Sequence, residues 1–128
     1  MKKFSLTWKN SKQPKRQRKY RSNALLHIRG DFLNVHSSKE LRKQYNRRSL
    51  RLRTGDTVKI LRGGFKNKTG KVEHVDLKRG KINISDMVVT KKDGTKSYIP
   101  FEPSNLMLME IKTEDKERRK MLERKKVG

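Results

Sequence analysis

The 128-residue chain has no cysteine, which excludes disulfides and thiolate metal sites. Acids are scarce: 13 Asp and Glu stand against 36 Lys and Arg, a formal net charge of +23. That excess goes far beyond what solubility requires and makes a polyanion the natural partner. Apolar residues are only 30% of the chain and aromatic ones 6%, enough for one small core. No run of about twenty apolar residues could span a bilayer, and no stretch has the broad apolar face of a membrane-surface helix. Met1 to Asn10 lacks the continuous apolar segment of a secretory signal, so the chain reads as cytoplasmic with no membrane partner.

Catalytic signatures are missing as well. His27, His36 and His74 share no metal-ligand spacing, and no serine sits in a nucleophile elbow. Gly63-Gly64 is not followed by the lysine and hydroxyl residue of a nucleotide-binding loop. The expectation is a chain that is not an enzyme, with no cofactor, no metal and no small-molecule substrate.

What is present is charge with a definite distribution. Residues 1–53 carry 17 basic and 2 acidic side chains (+15), residues 54–111 carry 11 and 7 (+4), and residues 112–128 carry 8 and 4 (+4). The excess therefore lies outside the middle of the chain. Lys9 to Arg21 contains no aliphatic side chain and is expected to lack a fixed structure until it meets RNA. Just before it, Phe4, Leu6 and Trp8 alternate with Ser5 and Thr7, as in an extended segment with three apolar groups on one side. They either dock on protein or, for Trp8, stack on an exposed base.

Ser37, followed three residues later by Glu40, forms a capping box ahead of Leu41 and Tyr45, predicting a short helix whose other faces carry Lys39, Arg42 and Lys43. Arg47 and Arg48 end it, and Arg51 and Arg53 follow. Such a run is a solvated face or, with so few acids nearby, a phosphate contact.

The most informative stretch runs from Leu50 to Asp76. Gly55-Asp56 signals a turn, after which Val58 and Ile60 alternate with Thr57 and Lys59 as a half-buried strand requires. A basic loop follows, in which Arg62, Lys66, Lys68 and Lys71 surround Gly63, Gly64 and Gly70. Glycine lets the backbone approach a phosphate closely while cations stand on either side. A plain hairpin turn would explain the glycines, but not the cations. Val72 and Val75 resume a strand. Beyond them come a turn at Lys78-Arg79-Gly80, strands over Lys81 to Ser85 and Asp86 to Lys91, a turn at Asp93-Gly94, and a strand over Lys96 to Phe101. Glu102 to Asn105 is expected to turn tightly before Leu106 to Ile111 closes the sheet. Val58, Ile60, Val72, Val75, Ile82, Ile84, Met87, Val88, Val89, Ile99 and Leu108 supply the expected core. Thr113 is expected to cap a final helix, with Glu114, Asp115 and Glu117 in its first turn and Arg124, Lys125 and Lys126 in its last. Met121 and Leu122 are its only apolar residues, so it should be loosely attached.

The segment from Gly55 to Val72 resembles the KOW motif. Gly55, Asp56, Val58, Gly63, Lys66, Gly70, Lys71 and Val72 fill the motif's places, while Asn67 stands where glycine is usual. Asparagine tolerates the left-handed region best among non-glycine residues, so the turn should survive. Together with the arm SKQPKRQRKYR, the segment SSKELRKQYNRRSLRLRTGDTVKILRG, the hairpin KKDGTKSYIPFEPSNL and the ending EDKERRKMLERK, this looks like the archaeal and eukaryotic form of the universal KOW-motif ribosomal protein of the large subunit, the L-twenty-four family.

The resemblance implies a mostly β fold: a small SH3-like barrel with a basic N-terminal arm, a short helix before the barrel and a C-terminal helix. The parts would be residues 1–48 for the arm and short helix, 49–111 for the barrel, and 112–128 for the basic C-terminal helix. It further implies a structural constituent of the large subunit, in the cytoplasmic ribosome, that binds large-subunit rRNA early in assembly and lies near the polypeptide exit tunnel. Neighbouring ribosomal proteins, and factors at the tunnel exit, would be its other partners. The RNA-binding residues would be Lys9, Lys12, Lys15, Arg16, Arg18, Lys19 and Arg21 in the arm, Arg47, Arg48, Arg51 and Arg53 ahead of the barrel, and Arg62, Gly63, Gly64, Lys66, Lys68, Gly70 and Lys71 in the loop. A KOW-type transcription elongation factor domain, or a general cationic RNA-binding protein, is the alternative. The former would not need this arm, and the latter would not need the motif.

Overall fold

The computed structural model describes residues 11–124. The segment Phe4 to Trp8, Lys9, and Lys125 and Lys126 of the predicted final helix lie outside the described residues. Eight strands and four helices are present among them. The chain begins with α1 (Pro14–Asn23) and α2 (Leu26–Arg29), passes through a 3-10 turn (Gly30–Leu33) into β1 (Asn34–Ser37), and continues with α3 (Lys39–Tyr45) and β2 (Ser49–Arg51). Then come β3 (Thr57–Ile60), β4 (Thr69–Asp76), β5 (Lys81–Ile84), β6 (Val88–Thr90), β7 (Lys96–Tyr98), β8 (Leu106–Glu110) and α4 (Lys116–Glu123).

Six strands form one sheet in the order β2-β1-β8-β3-β4-β5, and β6 and β7 form a separate hairpin. Most neighbours are antiparallel, while β1 and β8 run parallel with His36 opposite Met107. The result is a barrel-like, mostly β domain, as expected, but the ring of strand pairings does not close. A single bridge, Ile82 opposite Phe101, turns the chain back over β5. The predicted meander appears with its turns in place: Gly80 and Gly94 have φ of +67° and +91°, and Pro103–Asn105 makes the tight turn before β8.

Period-two alternation explains the strands. Val58 and Ile60 of β3, Ile82 and Ile84 of β5, and Leu106 and Leu108 of β8 are fully buried, with polar or half-exposed residues between them. Several of the expected core positions differ. Val89 is 51% exposed, and Val75 and Ile99 are only half-buried against the core. The missing apolar area comes from Leu33, Val35, Leu41 and Leu122 in the flanks and from Leu50, Leu52 and Phe101 within the barrel segment, all buried. β1 lies within the part of the chain read as arm and short helix, and it pairs with both β2 and β8.

Three local expectations are corrected. The composition of Lys9 to Arg21 predicts no fixed structure, yet α1 covers most of it. Pro14 stands at the start, where its missing N–H is harmless, and Lys, Arg and Gln are good helix formers. The helix buries none of its own residues. It is held instead at its end, where Ala24 is buried, the Tyr20 ring lies 6.5 Å from Phe32, and the Arg29 guanidinium donates to the carbonyls of Ser22 and Ala24. The cap of α3 is Ser38 rather than Ser37: the Ser38 hydroxyl accepts from the Leu41 N–H at 3.3 Å, while Ser37 is buried at the end of β1. The cap of α4 is Asp115, whose carboxylate accepts from the Glu117 N–H, rather than Thr113.

The final helix is also not loose. Leu122 enters the core, and Arg118, only 3% exposed, forms a bidentate pair with the fully buried Asp56, both N···O distances being 2.6 Å. Arg47 adds a hydrogen bond of 2.8 Å to the Met121 carbonyl. Two apolar residues understated the attachment because a charged pair and a backbone bond complete it.

Candidate nucleic-acid interface

The loop between β3 and β4 is built before any partner arrives. Its base is closed by backbone hydrogen bonds from Asn67 N–H to the Ile60 carbonyl and from Ile60 N–H to the Lys68 carbonyl. Its tip is a turn closed by Lys66 N–H on the Gly63 carbonyl. Gly63 has φ of +94°, and Asn67 stands in the left-handed region at +70°, as the motif comparison required. Phe65 turns inward, packing against the core with its ring edge-on to Phe101 at 6.1 Å. The Lys68 ammonium sits 5.0 Å from the centre of the Phe65 ring. Arg62, Lys66, Lys68 and Lys71 are left exposed around this anchored turn, and no ion pair to any of them occurs among the described residues. A rigid turn bearing unneutralised cations loses little entropy when it meets a phosphate.

Gly70 earns its place differently from Gly63. Its φ is not positive, so backbone strain is not the reason for glycine. Gly70 pairs with Val58, and a Cβ there would fall 2.6 Å from Ile84 Cγ2 and 3.2 Å from the Ser85 carbonyl oxygen. The residue admits β5 closely against β4. Gly64 has open space around it and an ordinary φ.

The other expected cations divide into two groups. Lys12, Lys15, Arg16, Arg18, Lys19 and Arg21 are all exposed on or beside α1, and Arg48 is exposed after α3. Arg47, Arg51 and Arg53 are employed by the protein itself. Arg47 holds α4, the Arg51 guanidinium lies so close over Gly30 that a Cβ there would collide with it, and Arg53 forms an ion pair with Asp115. That pair, by hydrogen bonding, holds the Asp115 carboxyl below its usual range. The structure does not gather the arm and the loop at one spot. α1 ends beside the β4–β5 turn, tied there by Arg29 donating to the Lys78 carbonyl at 3.0 Å, whereas the glycine loop lies at the other end of β4. Eight residues of strand separate the two ends by roughly 26 Å.

Two features escaped sequence reasoning. Asp56 does more than turn the chain: besides Arg118 it accepts from the backbone N–H groups of Arg53 and Lys112, both at 3.0 Å. Lys78 and Arg79 share a groove of about 410 Å³ with Arg21, Arg29, Phe32 and His36. Nothing local marks these residues as neighbours, since three separate segments supply them. Among the described residues no cluster of His, Cys, Asp or Glu is placed to hold a metal, and no helix is long and apolar enough to cross a membrane.

Comparison with known proteins agrees with the residue-level resemblance over nearly the whole chain. The chain is 46% identical over 115 residues to the large ribosomal subunit protein uL24 of Methanosphaera stadtmanae, covering 90% of this chain and 98% of the relative. It is 44% identical over 108 residues to the protein of the same description from Methanosarcina barkeri, covering 84% and 93%. A family model that describes the eukaryotic L-twenty-six and archaeal L-twenty-four ribosomal proteins matches residues 11–125. The chain therefore belongs to that family of structural, non-enzymatic ribosomal proteins in its archaeal and eukaryotic form.

Proposed function

We propose that the protein is a structural constituent of the large ribosomal subunit, acting in the cytoplasm and binding large-subunit rRNA through the anchored glycine loop and the α1 cations. The observation that carries this reading is the loop itself: Arg62, Lys66, Lys68 and Lys71 exposed and without acids, on a turn fixed by its own backbone bonds and by Phe65. The contacts are to phosphates first, so rRNA is recognised by shape more than by base identity. Lys12, Lys15, Arg16, Arg18, Lys19 and Arg21, with Lys9 ahead of them, track the backbone. Arg48 adds a further contact, while Arg47, Arg51 and Arg53 mainly position α4 and the strands. Early assembly near the 5′ region of the rRNA, a place by the polypeptide exit tunnel, and contacts with neighbouring ribosomal proteins and tunnel-exit factors belong to the same proposal. They rest on membership in the family.

The test is a salt titration of binding to a fragment from the 5′ region of large-subunit rRNA. Log affinity should fall linearly with log salt, and replacing Lys66 and Lys68 by Ala should make the slope shallower by about 1–2 units. An affinity that ignores salt, or a slope unmoved by the double substitution, refutes the assignment.

A further inference from the structure

The groove at the far end of β4 has a composition unlike that of the loop. We propose that it is a second RNA site, one that holds a single unstacked nucleotide, with Phe32 as the stacking platform for the base and Arg21, Lys78 and Arg79 around its phosphate. This rests on the RNA reading above but places base contact where that reading has only phosphate contact.

Phe32 belongs to the 3-10 turn ahead of β1 and remains 40% exposed. Exposure alone would not mark the ring, since Leu25, Leu26, Val89 and Tyr98 are more exposed; its place in a cationic groove does. On one side it meets Tyr20, with the ring planes at 52°. Leu77 and Pro103 add apolar surface beside the ring, while polar and cationic side chains surround them: Asn34 and His36 project from the outer face of β1, and Arg21, Lys78, Arg79 and Lys81 form the rim. An apolar protein partner would bury those charges without counterparts, whereas a nucleotide satisfies ring and cations together. Asn34 and His36, as donor and acceptor groups, suit the edge of a base displayed against Phe32.

The groove is also rigid where it must be. All three donating positions used by Arg29 are occupied by carbonyls, of Ser22, Ala24 and Lys78, so that side chain splints the end of α1 to the β4–β5 turn. The turn itself is fixed by Asp76, whose side chain accepts from the Arg79 N–H and whose carbonyl accepts from the Gly80 N–H at 2.8 Å. The acid on the rim, Glu102, is answered by Lys81 at 2.8 Å. That hydrogen bond, with Arg21 contributing, holds the Glu102 carboxyl below its usual range. Arg21, Lys78 and Arg79 therefore outweigh the two neighbouring acids, Glu102, which Lys81 answers, and Asp76, which caps the turn. An A-form duplex keeps its bases stacked, so the groove takes a looped-out or single-stranded residue.

The experiment uses the full chain with two probes: a single-stranded oligoribonucleotide carrying a fluorescent adenine analogue, and an RNA duplex of matched length. The Phe32→Leu substitution keeps apolar volume but removes the stacking face. It should weaken binding of the single strand by roughly tenfold or more and abolish the quenching of the analogue, leaving duplex affinity unchanged. Phe32→Tyr should retain both affinity and quenching. Arg79→Gln should make the single-strand salt slope shallower by about 0.7 unit, a change Phe32→Leu should not produce. Equal loss on both probes with a lowered melting temperature, or no loss on either, overturns the site. If Lys66→Ala and Lys68→Ala still weaken duplex binding in that case, the RNA reading of the loop stands while the groove falls. A parent protein that binds neither probe overturns both.

Discussion

Removing either partner of the buried Asp56–Arg118 pair should be the most damaging polar substitution available in this chain. The two groups are 0% and 3% exposed and meet through two N···O contacts of 2.6 Å. Asp56 takes two more donors, the backbone N–H groups of Arg53 and Lys112, and Arg118 donates to the carbonyls of Lys112 and Arg51, both at 3.2 Å. Both Asp56 oxygens and both terminal nitrogens of Arg118 are thus doubly engaged, which is what makes such a pair tolerable in a small core. Asp56→Ala leaves a buried guanidinium without an anion and orphans two backbone N–H groups. Breaking a buried pair by one partner costs about 3–5 kcal/mol, and this substitution belongs at the top of that range. Arg118→Met keeps volume and leaves Asp56 with its backbone donors, so the loss should fall at the lower end, about 3 kcal/mol. For a domain of this size the melting temperature should drop by roughly 10–20 °C in the alanine variant.

The check is urea and thermal unfolding of the parent, both single variants and the double variant. The double should lose well less than the sum, with a coupling of about 1–3 kcal/mol, because the second substitution removes a group already unpaired. A single-variant loss under about 1 kcal/mol, or strict additivity, would refute the reasoning.

Three further outcomes follow from the geometry. Gly70→Val should destabilise by at least about 1–3 kcal/mol in urea unfolding because its side chain runs into Ile84 and the Ser85 carbonyl, and RNA affinity should fall with it; a parent-like melt would show that β5 can move aside. Hydrogen bonds from Thr95, Lys81 and Arg53 lower the carboxyl pKa values of Asp93, Glu102 and Asp115. Groups depressed in the folded state contribute stability that is complete above about pH 5, clear of the ordinary carboxyl range, and is lost as pH falls through the lowered values. The melting temperature should therefore decline on the acid side, less steeply for Arg53→Ala, whereas the Tyr98 hydroxyl, raised by its hydrogen bond to Glu73, gives a contribution present below about pH 10 and lost as pH rises through the raised value. Replacing Lys15, Arg16, Arg18 and Lys19 by Gln should leave the melt almost unmoved, since α1 buries none of its residues, while the rRNA salt slope becomes shallower by about 1–4 units; an unchanged slope would remove the arm from the RNA.

The parts of the fold that were legible in the sequence are those whose cause is local. Val58 and Ile60, Ile82 and Ile84, and Leu106 and Leu108 announce their strands by alternation, and Gly63, Gly80, Gly94 and Asn67 announce turns that do adopt positive φ. β1 and β2 escaped because each is only three or four residues long and offers a single fully apolar buried position, Val35 or Leu50, against a polar background. Their strand character comes from pairing with β8 and with each other, which no short window contains. The cap of α3 slipped by one residue because Ser37 and Ser38 are chemically equivalent, and burial against β8 rather than propensity selects between them.

The candidate interface divides along the same line. Arg47, Arg53 and Arg118 look in sequence like Arg48, Arg62 and Arg124, yet the first three are consumed by a carbonyl or carboxylate of the protein, and 62 residues separate Arg118 from Asp56. A net charge of +23 fixes the class of partner but does not say which cations face it. That allocation is made by the few acids and by carbonyls left open at element ends. Lys66, Lys68, Lys78 and Arg79 are available because no acid forms an ion pair with them among the described residues, Glu102 being paired with Lys81. In so basic a chain the scarce groups are the acids. Tracing where the 13 acids and the open carbonyls go, rather than counting the 36 cations, separates the residues that hold the fold from those left available to a polyanion.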